Sequence, residues 1–218
     1  MHLQVRGHRG RPDPRVSSTG ILGGSFNPPH VGHLVCARCA AEQLGLDRVL
    51  LVPLSEPSHR ELEGDPGPQA RLGLCRLAVG DDPVLEASAI EVDRGGVSYT
   101  AETLEQLTAG RAGGLTLILG ADAAEGLEGW KDPDRIVELA TLAIAPRPGV
   151  GGSEKVAADV VDHFPGARVK AFPMPEIGIS SSLVRERVAA GLSIRDLVPR
   201  AVEDEIIASG WYGAGGAG

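Results

Sequence analysis

Apolar and polar positions alternate in blocks along this chain, and the blocks switch between strand and helix periods. Ile21-Leu22 is a short apolar run, followed at once by Gly23-Gly24-Ser25-Phe26-Asn27-Pro28-Pro29-His30-Val31-Gly32-His33. That order predicts strand, glycine turn, two spaced imidazoles and a helix. Leu34, Ala37, Ala41 and Leu44 fall on one helical stripe, with Gly45 as its C-terminal stop. Val49 to Val52 is a continuous apolar run ended by Pro53, as a buried parallel strand requires. Gln69 to Val79 reads as a second helix, and Ser98 or Thr100 is expected to cap a third running to about Ala109. Leu115 to Leu119 and Leu142 to Ala145 are further buried strands. Ser182 to Ala190 is helical with Gly191 after it, and 203–209 is a last short helix. The alternation predicts an α/β fold, a Rossmann-like doubly wound parallel sheet in a single domain, with ligands at the carboxyl ends of the strands.

The ends do not share the pattern. Residues 1–18 hold Gly7, Gly10, Pro12, Pro14 and four arginines with no apolar period, and are expected to form a flexible extension. Residues 213–218 are glycine and alanine and are expected to be disordered. The folded domain is then 19–212. Of the 218 residues 42% are hydrophobic but only 3% aromatic, so the core must be aliphatic. The formal net charge of -8 argues against a general nucleic-acid binder or a polybasic membrane-surface protein. No apolar run approaches the ~20 residues of a membrane span, and residues 1–15 lack the apolar segment of a secretory signal. Cys36, Cys39 and Cys75 are odd in number and too few for a disulfide framework. These features predict a reduced, cytoplasmic protein, and they are compatible with a homo-oligomer.

The chemistry concentrates in the glycine turn. It is not a dinucleotide fingerprint, because G-x-G-x-x-G is absent, and no Gly-Lys-Ser/Thr makes it a P-loop. Its layout suits phosphate all the same. Gly23 and Gly24 let backbone N–H groups approach, the helix N-terminus favours anions, and His30 and His33 add donors tunable near neutral pH. His30, His33, Cys36 and Cys39 recur every third residue and suggest a metal site. Each three-residue step lags a helical turn by about 60°, so four ligands cannot converge on an unbroken helix. Cys36-Ala37-Arg38-Cys39 has redox C-x-x-C spacing but lies one turn into the helix, not at its N-terminus. Elsewhere, Ser181 and Ser182 at a helix start, with Arg185 a turn on, can hold phosphate. Asp122 at a strand's carboxyl end can accept from ribose hydroxyls, and Trp130, in a loop-like stretch, can stack on a flat ring.

Gly24, Phe26, Pro28, His30, Gly32 and His33 match the G-x-F-x-P-x-H-x-G-H pattern of nucleotidyltransferases. Four further segments follow in order: Ser98-Tyr99-Thr100-Ala101-Glu102-Thr103-Leu104, Gly120-Ala121-Asp122, Arg147-Pro148-Gly149, and Ile179-Ser180-Ser181-Ser182-Leu183-Val184-Arg185. Together they resemble the bacterial nicotinate-nucleotide adenylyltransferases over about 19–212. The resemblance implies adenylyl transfer from ATP to nicotinate mononucleotide, giving deamido-NAD and pyrophosphate, with Mg²⁺ carried by the ATP phosphates and no protein metal site. It implies an ATP site of Gly23, Gly24, Ser25, Phe26, His30, His33, Gly120, Asp122, Ser181, Ser182 and Arg185, with His30, His33 and Arg185 catalytic. It implies a mononucleotide site of Ser25, His59, Arg60, Tyr99, Thr100, Trp130 and Arg147, with Trp130 stacked on the pyridine and main chain near Thr100 reading its carboxylate. The chain departs from the family pattern at Asn27, Leu54, Ser58 and Pro146, and three of these fall around the mononucleotide phosphate site. Other expectations from the same residues are a sister transferase using nicotinamide mononucleotide or phosphopantetheine, and a non-catalytic nucleotide sensor.

Overall fold

The computed structural model describes residues 18–58, 61–109, 114–146 and 152–213. The expected extension and tail, apart from Ser18 and Gly213, lie outside the described residues. Ser18 itself is tied to the fold, its N–H donating to Asp47 Oδ2 at 2.8 Å.

Six strands form one all-parallel sheet in the order β3-β2-β1-β4-β5-β6. They are β1 (Thr19–Gly24), β2 (Arg48–Pro53), β3 (Leu85–Ala87), β4 (Leu115–Gly120), β5 (Ala140–Ala145) and β6 (Val169–Ala171). The chain adds strands outward on one side of β1, then returns to β4 and adds strands outward on the other. The direction of winding therefore reverses between β1 and β4, and loops leaving these strands diverge to leave a crevice above their carboxyl ends.

Side chains alternate across the sheet because successive residues of a strand face opposite ways. Ile21, Leu50, Val52, Leu117, Leu119, Leu142 and Ile144 pack on one face, against Leu104 and Leu107 of α4 (Thr100–Thr108), Ile136 of α6 (Pro133–Leu139) and Val156 of α7 (Ser153–His163). Leu22, Val49, Leu51, Ile118, Ala143 and Ala145 pack on the other, against Ala37, Ala40 and Ala41 of α1 (Val31–Leu44). With both faces covered, each central strand is a continuous apolar run, which is why the sequence shows runs and not alternation. Gly20 is required by packing, since a Cβ there would come within 2.8 Å of Leu46. A third cluster, Leu74, Ala78, Val184, Ile194, Val198, Val202 and Ile206, joins α2 (Pro68–Val79), α8 (Ser181–Ala189) and α9 (Arg200–Ser209) beside the sheet. It carries α8 to the mouth of the crevice. Among the described residues the remaining α-helices are α3 (Ile90–Arg94) and α5 (Ala121–Glu125), with a short 3-10 helix at Leu127–Gly129.

Candidate active site

The β1–β4 crevice holds two adjoining clefts with a common floor of Leu22, Gly23, Gly24, Gly120 and Ala123. One is a cavity of about 620 Å³ that contains His30, His33, Asp122, Ser181, Ser182 and Arg185. The other, about 430 Å³, opens toward β2 and α4 and contains Leu54, Tyr99, Thr100, Trp130 and Lys131. A Cβ on Gly23 would meet no atom within 4 Å, so the space over the turn is open.

The turn between β1 and α1 is held tightly. Phe26 adopts a left-handed φ of 47°, a conformation that costs a side-chain-bearing residue about 1–2 kcal/mol. Its ring is buried, 4.9 Å from the His33 ring. Asn27 is gripped on three atoms: Nδ2 donates to Glu63 O at 2.9 Å, Oδ1 accepts from Tyr212 Oη at 2.8 Å, and O accepts from Arg185 Nη1 at 3.0 Å. Ser181 Oγ donates to Pro28 O at 2.8 Å. The strained residue is thus fixed by α8 and by the chain beyond α9.

At the head of α1, His30 is the N-cap, and its N–H donates to Nδ1 of His33 at 3.1 Å. The two rings lie 3.8 Å apart. Burial lowers the His30 pKa from 6.5 to about 4. Burial, and then repulsion by His30, hold His33 well below its ordinary value. Both imidazoles are therefore neutral near pH 7. An acceptor role at Nδ1 puts the His33 proton on Nε2, so the ring still presents an N–H donor. Nδ1 of His30 is buried and has no partner among the described residues. Gly32 leaves room for this pair, because a Cβ there would lie 3.0 Å from His30 Nδ1 and Cε1.

Across the cleft, Ser180 caps α8, its Oγ accepting from Leu183 N–H at 3.1 Å. The first-turn N–H groups of Ser181 and Ser182 have no intrahelical acceptor, and both residues line the cleft. Arg185 Nη2 donates to Ser182 Oγ at 3.3 Å and lies 3.5 Å from the exposed Glu63 carboxylate. The wall beyond is apolar: Ala145, Pro146, Met174, Ile177 and Ile179.

In the second cleft the expected cap on α4 is corrected. Tyr99 is its N-cap and gives no side-chain hydrogen bond. Ser98 Oγ instead accepts from Ser55 N–H at 2.9 Å, which joins the α4 approach to the loop after β2. Thr100 is the first helical residue, so the helix N-terminus stays uncapped toward the cleft. Lys131 Nζ sits 4.2 Å from the Tyr99 ring centroid and donates to Glu102 at 2.7 Å.

A cytidylyltransferase-like family model matches residues 21–187. A probable nicotinate-nucleotide adenylyltransferase of Roseiflexus sp. (strain RS-1) is 41% identical over 88% of this chain and 96% of its own length. One from Thermus thermophilus is 42% identical over 88% of this chain and 98% of its own. The chain belongs to the nicotinate-nucleotide adenylyltransferase family. The Plasmodium falciparum nicotinic acid mononucleotide adenylyltransferase complexed with NaAD shares the fold, with a TM-score of 0.71 at 17% identity over 90% of this chain and 97% of that one.

The residues that the family motifs single out are brought together in large part. Gly23, Gly24, Ser25, His30, His33, Gly120, Asp122, Ser181, Ser182 and Arg185 line the first cleft, and Tyr99, Thr100 and Trp130 the second. Phe26 lies beneath the floor and supports His33 from below. Ser25 lines the first cleft and not the second. His59, Arg60 and Arg147 lie outside the described residues. Cys36 and Cys39 sit within α1, packed on the core, and burial pushes the Cys36 thiol up to about 12. The family motifs leave out Met174, Ile177, Lys131, Arg71 and Tyr212. Lys131 adjoins Trp130 and could have been read from it; the others carry no local signal.

Proposed function

We propose that the protein joins the adenylyl group of ATP to a phosphate oxygen of nicotinate mononucleotide, releasing pyrophosphate and giving deamido-NAD. One observation carries this reading. Two clefts share a glycine floor, one bearing neutral imidazole donors and an arginine, the other a tryptophan and an uncapped helix N-terminus. The names of the Roseiflexus and Thermus relatives agree with it.

ATP takes the first cleft, adenine against the apolar wall and triphosphate over Gly23 and Gly24. The mononucleotide takes the second, its ring on Trp130 and its carboxylate at the N–H groups of Thr100 and Ala101. A phosphate oxygen attacks the α-phosphorus in line. The bond from that phosphorus to the bridging oxygen breaks, and pyrophosphate leaves with the electron pair. The attacking oxygen is already anionic, so no general base is needed, and positioning with charge stabilisation supplies the acceleration. Nε2–H of His33 donates to the α-phosphate, and His30 adds a second donor beside it. Arg185 and the N–H groups of Ser181 and Ser182 hold the β,γ end, the incoming phosphate replacing Glu63 at Arg185. Asp122 accepts from a ribose hydroxyl.

Mg²⁺ would offset charge on the triphosphate. It retains waters and prefers phosphate oxygens, so the triphosphate itself would carry it. His59 and Arg60 are the candidates for the mononucleotide phosphate, with Arg147 elsewhere in the mononucleotide site. Three free thiols fit a reducing compartment and hence a cytoplasmic enzyme.

The test is pyrophosphate release from ATP and Mg²⁺ with nicotinate or nicotinamide mononucleotide in parallel. Strong preference for the acid is expected. Activity with the amide alone would reassign the substrate, and silence with both would overturn the reading.

A further inference from the structure

Arg71 of α2 is fully buried, and no step above uses it. Its Nε donates to Asp65 Oδ1 at 2.8 Å. Its Nη1 donates to two carbonyls, Ser25 O at 3.0 Å and Leu54 O at 2.7 Å, and its Nη2 donates to Ser55 O at 2.9 Å. The acceptors belong to three separate segments: the turn after β1, the loop after β2 and the approach to α2. Ser25 lines the first cleft and Leu54 the second. Ser55 in turn donates to Ser98 Oγ, next to the Tyr99 cap of α4.

A buried guanidinium is costly to desolvate, and a well-packed apolar side chain commonly stabilises a fold as well or better. What no apolar residue or lysine reproduces is a planar fork with donors at fixed angles. One nitrogen of that fork spans the walls of the two clefts. We propose that Arg71 is a positioning residue that sets the spacing between the two half-sites, so that the phosphate in one is aligned with the α-phosphorus in the other. This rests on the adenylyl-transfer reading, because only a reaction across the two clefts needs that spacing. Each half-site keeps its own contacts without Arg71, so the cost falls on the chemical step. Misplacement of reactants by about 1 Å costs about 10²-fold in rate.

The test is steady-state kinetics of Arg71→Lys with ATP and nicotinate mononucleotide, at a temperature where circular dichroism shows the variant fully folded. The expected result is a kcat lower by about 10²-fold, with both KM values within about threefold of wild type. A residue needed only for stability would leave kcat unchanged in the folded variant. A folded Arg71→Lys with wild-type kcat, or with the loss confined to one KM, overturns the proposal. If Arg71→Lys does not fold, Asp65→Ala decides, since it keeps the arginine but frees Nε of the fork. A tenfold fall in its kcat supports the spacing role, and wild-type kcat overturns it. An inactive wild type in the same assay would overturn the adenylyl-transfer reading and this inference together, whereas an active wild type matched by its variants would overturn this inference alone.

Discussion

The backbone N–H of His30 donates to Nδ1 of His33. Three residues apart at a helix start, the two are locked so that one supplies the bond that fixes the other's tautomer. The proton of His33 is left on the nitrogen away from the helix, and burial keeps the ring neutral. The donor is thus available without a charge that would have to be desolvated when ATP binds.

Removing that donor tests the mechanism directly. His33→Ala is expected to lower kcat by about 10²–10³-fold, the usual cost of one oriented donor to a developing anion. Its far-UV circular dichroism should match wild type. Near-normal turnover in the folded variant would rule the mechanism out.

Gly32→Ala separates stability from activity. Alanine's helix preference of up to about 1 kcal/mol opposes the cost of crowding the buried His30 ring, so the melting temperature should change little. The new methyl would stand 3.0 Å from the His30 ring and push it aside. A kcat lower by about tenfold is expected from the misplaced donor. Unchanged kcat in a variant of equal or greater stability would contradict the tight packing of this pair.

The pH dependence of folding has a definite sign. The unfolded chain protonates His30 near 6.5, whereas the native state resists protonation to about 4. Above 6.5 both states are neutral there and His30 contributes no penalty. Below it the unfolded state takes the proton first, and stability falls until about pH 4, by roughly 3 kcal/mol in total. His33 acts in the same direction. Urea midpoints at pH 7.5 and 5 should differ more for wild type than for His30→Asn, and equal differences would refute the assignment.

Trp130→Ala should act on one substrate only. Stacking a flat ring on an aromatic side chain contributes about 1–3 kcal/mol. The KM for nicotinate mononucleotide should rise by about tenfold or more while the KM for ATP stays within about twofold. A loss shared equally by both substrates would move Trp130 out of the second cleft's role.

Much of this was legible in sequence because the central elements carry long, one-sided signals. Strands buried on both faces gave the runs at Val49 and Leu115, and Gly45 marked the end of α1. The edge strands β3 and β6 have three residues each, too few for any period to show. Helix α7 buries only Val156 and Val160, which leaves a faint stripe. Ser98 has the chemistry of a cap for α4, but its hydroxyl is engaged by the loop after β2. Arg71 reads as an ordinary surface arginine, because its burial depends on the turn after β1 and the loop after β2, whose carbonyls it reaches across 46 and 16 to 17 positions. The same holds for Tyr212, whose partner Asn27 is 185 positions away.

That last contact also sets an order on the making of the enzyme. The strained turn at Phe26 is synthesised before its braces, since Ser181, Arg185 and Tyr212 follow the turn residues they hold by 153 to 185 positions. A nascent chain can pair β1, β2 and β4 and still lack a finished first cleft. Catalytic competence therefore waits until α9 docks and the tyrosine that follows it closes on the turn between β1 and α1.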